Sequence, residues 1–158
     1  MQPEVDKMDR STTDSLDSVL QSTRPEDLED YLSRNSDKMY QEGSFSDYMH
    51  RKFREKGLKQ QEVFLAADIP EKYGYRLISG ERHTKQRDHI IRLCLGARFT
   101  LKETQTALKL YGMSPLYSRL PRDAAMIVMF NNGRYSLPEM NELLEKNGLE
   151  PLQPCGEQ

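Results

Sequence analysis

Leu58-Lys-Gln-Gln-Glu-Val-Phe-Leu-Ala-Ala-Asp-Ile-Pro-Glu-Lys-Tyr-Gly-Tyr-Arg-Leu-Ile-Ser-Gly80 reads as two short helices joined by a sharp turn. Gln60–Ala67 places Val63 and Ala67 on one helical face. Asp68-Ile69-Pro70 makes the turn, and Pro70 starts a second helix, because its fixed φ suits a first helical turn. That helix runs through Ile78 and stops at Ser79-Gly80.

On the N-terminal side, Phe45, Met49 and Phe53, with Tyr48 beside them, recur at helical spacing until Lys56-Gly57. On the other side, a helix is expected from about Gln86 to Leu95, carrying Ile90, Ile91 and Cys94. Another follows from Leu101 to Tyr111 and ends at Gly112. Five helices therefore surround and include the quoted stretch, and no strand-like alternation of any length interrupts them.

The second of these helix pairs is repeated. Arg87-Asp88, Thr100-Leu101-Lys102-Glu103, Leu108 and Gly112-Met113-Ser114-Pro115-Leu116 return as Arg122-Asp123, Ser136-Leu137-Pro138-Glu139, Leu144 and Gly148-Leu149-Glu150-Pro151-Leu152. The offset grows by one residue on the way, which places an insertion near Asn131-Asn132-Gly133. Thr100 and Ser136 sit at N-cap positions, with Glu103 and Glu139 three residues on, the arrangement of a capping box. Two helical hairpins packed side by side follow, since Ala125, Met126, Met129 and Phe130 need an apolar partner.

Residues 1–22 are rich in Ser, Thr and Asp and read as a disordered arm. Residues 23–44 carry a helix start at Thr23-Arg24-Pro25, a short stripe of Leu28, Tyr31 and Leu32, and a break at Gly43. The domain holding the quoted stretch is placed at 45–116, the extra hairpin at 117–152 and a tail at 153–158. The net charge of −2 divides unevenly: 5 basic against 11 acidic residues in 1–44, 14 against 8 in 45–116, and 4 against 6 in 117–158. The basic excess falls on the segment that holds the two-helix unit, where it attracts phosphates. The bland alternative is a solvated helical surface.

The stretch from Leu58 to Gly80 resembles, without a gap, the helix-turn-helix of the lambda-repressor/Cro (XRE-like) family, and the five-helix order of 45–111 resembles that family's domain. The wider chain is similar to small bacterial helix-turn-helix proteins. The family usually has a small residue at the fifth position, Gly at the ninth and Val or Ile at the fifteenth; here stand Phe64, Asp68 and Gly74. The fifth and fifteenth positions face each other, so Phe64 fills the space that Gly74 leaves, and Asp68 tolerates the left-handed conformation of the turn. The resemblance implies an all-α chain: a lambda-repressor-like five-helix domain, an additional C-terminal helical hairpin and a partly disordered N-terminal arm.

It also implies a sequence-specific DNA-binding transcriptional regulator whose third domain helix enters the major groove of double-stranded DNA. Glu71, Lys72, Tyr75 and Arg76, with Tyr73 nearby, would face the bases; Gln60 would hold a phosphate; and Lys59, Arg82, His83 and Lys85 would position the backbone. Against this, Glu71 is simply explained as an acid in a first helical turn, and Tyr73 and Tyr75 suit packing equally well. The alternative is a protein-interaction adaptor that keeps the fold without DNA binding. A homodimer fits two successive grooves, and a protein partner fits the acidic arm or the C-terminal hairpin.

Neither a phosphate-cradling loop nor a nucleophile elbow is present, and His50, His83 and His89 stand apart from other metal ligands, so an enzyme, a cofactor and a metal site are not expected. Two cysteines, an N-terminus without a basic–apolar leader and a longest apolar run of only Ala124–Phe130 point to a cytoplasmic protein outside the membrane.

Overall fold

The structure, a computed structural model, describes residues 14–35 and 44–156. Every regular element among the described residues is a helix, and none is long and apolar enough to cross a membrane. They fall into two units, one before residue 42 and one after, each described here by itself.

The first unit corrects one expectation. Residues 14–21 form a helix, α1, where a disordered arm was expected. Leu16, Val19 and Leu20 lie three and four apart, which aligns them on one side of a helix. Ser18 Oγ donates to the Asp14 carbonyl at 3.0 Å and Thr23 Oγ1 to the Val19 carbonyl at 2.7 Å. A 3-10 turn, Pro25–Asp27, leads into α2 (Leu28–Arg34). Of the expected stripe only Tyr31 is buried; Leu28 and Leu32 are exposed. The remainder of the arm (1–13), the linker residues 36–43 with Gly43, and tail residues 157–158 lie outside the described residues.

The second unit holds α3 (Phe45–Glu55), α4 (Gln60–Ala66), α5 (Glu71–Ser79), α6 (Arg87–Gly96), α7 (Leu101–Leu110), α8 (Pro121–Asn131) and α9 (Leu137–Lys146). Ser44 caps α3 by accepting the Asp47 N–H at 3.0 Å, and Gly57 ends it at φ +65. Met49, Phe53, Val63, Ala67, Leu77 and Phe99 are buried in one continuous core. Asp68 makes the α4–α5 turn at φ +52, the left-handed conformation expected for it. A Cβ at Gly74 would lie 2.5 Å from the Phe64 ring, so the large and small residues are fitted to each other as the sequence suggested. Helices α4 and α6 approach as closely: a Cβ at Gly96 would lie 2.5 Å from the Val63 carbonyl oxygen.

The two hairpins, α6–α7 and α8–α9, pack reciprocally, α6 against α9 and α7 against α8. Their bonds are exchanged in the manner of a local twofold. Arg87 pairs with Asp123, and Arg122 pairs with Asp88 at 2.8 Å. Asp123 accepts the Tyr117 N–H at 2.9 Å, while Asp88 accepts the Gln153 N–H at 2.8 Å. Each arginine also donates to the end of its own hairpin: Arg87 to the Ser114 carbonyl at 3.2 Å, Arg122 to the Glu150 carbonyl at 2.8 Å. Gln105 accepts the Leu116 N–H at 2.7 Å, and its counterpart Asn141 accepts the Leu152 N–H at 2.9 Å. Burial alone would raise the Asp88 carboxyl, but the Arg122 guanidinium and the Gln153 N–H outweigh it and hold that carboxyl below its ordinary value. Met126, Met129, Phe130, Met140 and Leu144 are buried at this seam, each worth about 1.5–3 kcal/mol of apolar transfer.

Two details of the repeat differ from the expectation. Arg98 and Gly133 both have positive φ, Phe99 N–H donates to the Cys94 carbonyl, and Arg134 N–H donates to the Met129 carbonyl. The first-repeat offset thus persists through Arg134, and the extra residue lies just before Ser136, after Asn131-Asn132-Gly133 rather than within it. The capping box closes fully at Thr100–Glu103, whereas at Ser136 the hydroxyl accepts the Glu139 N–H without the return bond. Glu103 is drawn to Thr100 and to Lys52 and Lys56 together.

Candidate nucleic-acid interface

Helices α4 and α5 put the side chains of the quoted stretch into three neighbouring groups. Lys59, the N-cap residue of α4, and Gln60, its first residue, share one open cleft with Tyr75 of α5. His50 and Arg54 of α3 form the cleft's other rim. These two had no part in the sequence-based site. Their spacing of four residues, next to the buried Met49 and Phe53, is the signal that would have found them. Tyr75 is half exposed and lies edge-on to Phe64, with centroids 5.0 Å apart, which fixes the ring at the mouth of the cleft.

The second group surrounds Glu71. Its Oε1 accepts from Gln61 Nε2 at 3.2 Å, a bond between the first turns of the two helices. Phe64, Leu65, Ile69 and Glu62 line a shallow hollow beside it, and Leu65 is the most exposed large apolar residue described. Lys72 is exposed one residue on.

The third group lies at the far end of α5. Arg76 Nε is 3.7 Å from Glu81 Oε1, an exposed pair worth at most about 1 kcal/mol, and one that an incoming acceptor can displace. Arg82 returns its backbone N–H to the Arg76 carbonyl at 3.0 Å. His83 stacks on Tyr111 at 4.4 Å, and the Tyr111 hydroxyl accepts the Thr84 N–H at 2.7 Å. These contacts fix the loop from which the exposed Lys85 projects.

Tyr73 belongs to none of the three groups. Its ring is 5 % exposed and its hydroxyl meets His89 Nδ1 at 2.7 Å, so it points away from any groove that α5 enters. It stands four residues before the buried Leu77, which places it on the core face of α5.

Behind α4 and α5 lies a buried polar layer that the sequence did not announce. Arg92, 3 % exposed, donates to the Ala67 carbonyl at 3.0 Å, the Leu152 carbonyl at 3.0 Å and the Gln153 carbonyl at 2.8 Å. His89 Nε2 meets the Pro154 carbonyl at 3.1 Å. Residues 152–154 thus form a strap fastened through α6 to the end of α4 and to α5. Compared with family models, with curated proteins and with solved structures, the chain matches none.

Proposed function

We propose that the chain is a sequence-specific DNA-binding regulator of transcription that uses α4 and α5 in the manner of a lambda-repressor-like helix-turn-helix. The observation that carries this reading is the shared cleft: Lys59, Gln60 and Tyr75 converge there with His50 and Arg54. Lys59 and Arg54 offer positive charge, and Gln60 and the Tyr75 hydroxyl offer hydrogen bonds, to a phosphate backbone. Lys72, exposed on α5, and the half-buried Arg76 supply groups that suit base edges in the major groove, and Lys85 and His83 add cationic or donor groups from the following loop. Polarisation titrations against random and genomic duplexes at two salt concentrations test it. Binding that weakens steeply with salt and prefers a subset of duplexes is the expected result. No binding to any duplex at low salt rejects it.

One observation favours a second reading, a protein-interaction adaptor on the same helices. Leu65 is 84 % exposed between Glu62 and Glu71, an apolar and acidic surface that suits a basic, apolar peptide better than DNA. The two readings separate in the same titration, because an adaptor leaves duplexes unbound.

A further inference from the structure

Charge in the cleft shared by α3, α4 and α5 is one-sided. Arg54 and Lys59 line it, and no carboxylate does. On the same stretch of α3, Arg51 is matched to Glu55 at 3.9 Å, and Lys52 to Glu55 and Glu103 at 3.2 Å each. Arg54 and Lys59, by contrast, make no ion pair among the described residues. Glu71 bonds to Gln61 from outside the cleft, Asp47 lies on α3 beyond its lining, and Tyr75 is the titratable group that α5 brings. Two cations without a counter-charge attract an anion.

The exposed His50 lines the same cleft in one defined tautomer. Its Nδ1 lies 2.8 Å from the Ser46 carbonyl, one helical turn back, and 3.3 Å from Ser46 Oγ. Since a carbonyl oxygen has no hydrogen to give, Nδ1 carries the proton of the neutral ring. Nε2 is then a bare acceptor, and it has no hydrogen-bond partner among the described residues. A phosphate oxygen also only accepts, so the neutral ring repels it. Protonation turns the same atom into a donor of a charge-assisted bond.

We infer that His50 makes phosphate binding in this cleft proton-coupled: a DNA phosphodiester seated between Arg54 and Lys59 draws a proton from solvent onto His50 Nε2, and the complex strengthens as pH falls. The phosphodiester supplies the negative charge that an imidazolium beside two cations needs. Solvent gives the proton on binding and regains it on release, and no covalent bond to the chain changes. Histidine is suited to the role because its charge changes between pH 5 and pH 8. The inference rests on the DNA-binding reading of the same cleft and adds to it a residue of α3 and a dependence on pH.

Polarisation titrations of the whole chain against a rhodamine-labelled random-sequence duplex, in low salt from pH 8 to pH 6, test it. The affinity of the native chain is expected to rise by roughly three- to tenfold across that interval. His50→Gln, which keeps a hydrogen-bonding side chain but cannot take the proton, is expected to stay at the weak level throughout. His50→Lys, charged across the whole interval, is expected to bind at pH 8 about as tightly as the native chain binds at pH 6. Loss of folded chain at the acid end weakens binding and so cannot imitate the rise. Salt-dependent binding that is flat from pH 8 to pH 6 overturns the inference and leaves the DNA reading standing. So does a rise that persists in His50→Gln, which would assign the proton to another group such as His83. Absence of binding at every pH overturns both.

Discussion

The Tyr73 hydroxyl lies 2.7 Å from His89 Nδ1, and the other ring nitrogen of His89 meets the Pro154 carbonyl. A carbonyl can only accept, so Nε2 carries the proton and Nδ1 accepts from Tyr73. The buried ring is thereby held neutral between α5 and the C-terminal strap, and burial, with Arg92 nearby, depresses its pKa below 6.5. Below that value the unfolded chain binds a proton that the folded chain resists, so stability falls as pH drops from 6.5 toward the folded pKa. Thermal melts from pH 7 to pH 5 should show a decline that His89→Gln, compared with its own melt at pH 7, lacks. Asp88 adds a second loss at lower pH: its folded pKa is depressed below 3.8, so its contribution is complete above that value and disappears as pH falls through the folded pKa.

Gly74→Ala should destabilise the chain by about 1–3 kcal/mol, because the added methyl would overlap the Phe64 ring 2.5 Å away. The double variant Phe64→Leu/Gly74→Ala should recover part of that loss in urea denaturation. Strict additivity of the two single effects would show that the residues do not constrain each other.

Arg122→Ala removes the partner of Asp88 and leaves that carboxylate, which is 9% exposed, with the Gln153 N–H. The expected loss is about 3 kcal/mol by chemical denaturation. Arg119→Ala, at an exposed position three residues before Arg122, should change stability by less than about 0.5 kcal/mol. Equal effects from both would refute the importance of the crossed pairs.

On the proposed DNA-binding function, Arg76→Ala and Lys85→Ala should weaken DNA binding in different ways. Arg76 is half-buried on α5 and paired only with the exposed Glu81; a guanidinium there would discriminate guanine by about 1–3 kcal/mol, so its loss should weaken the preferred site and spare random duplex. Lys85 stands in the loop before α6 and suits phosphate contact, so its loss should weaken all duplexes alike and lower the salt slope by about one. Glu71→Gln should tighten non-specific binding, since it removes a negative charge from the same surface. Indistinguishable Arg76→Ala and Lys85→Ala profiles would reject α5 as the reading helix.

Much of the second unit was legible because local signals agreed with one another. Apolar spacing, Thr100 and Ser136 at caps, Gly57 and Gly80 at helix ends, and the Phe64–Gly74 exchange all pointed to the same helices. The duplicated Arg-Asp was visible, but its crossed pairing depends on how two hairpins face each other, which no local pattern records. Arg92 illustrates the same limit: an arginine in a helix reads as solvated until three distant carbonyls are seen around it. Tyr73 and α1 were different cases, because spacing to Leu77 in one, and among Leu16, Val19 and Leu20 in the other, held the signal.

The strap also sets a timetable. Arg92 and its acceptor at Gln153 are 61 residues apart; at about 5–20 residues per second of synthesis, roughly 3–12 s separate their emergence. During that interval the guanidinium has the Ala67 carbonyl as its near partner, and Asp88 still awaits both Arg122 and the Gln153 N–H. The nascent α4–α5 pair therefore waits, incompletely satisfied, for the second hairpin, and its full set of buried bonds is acquired only after translation has passed the strap.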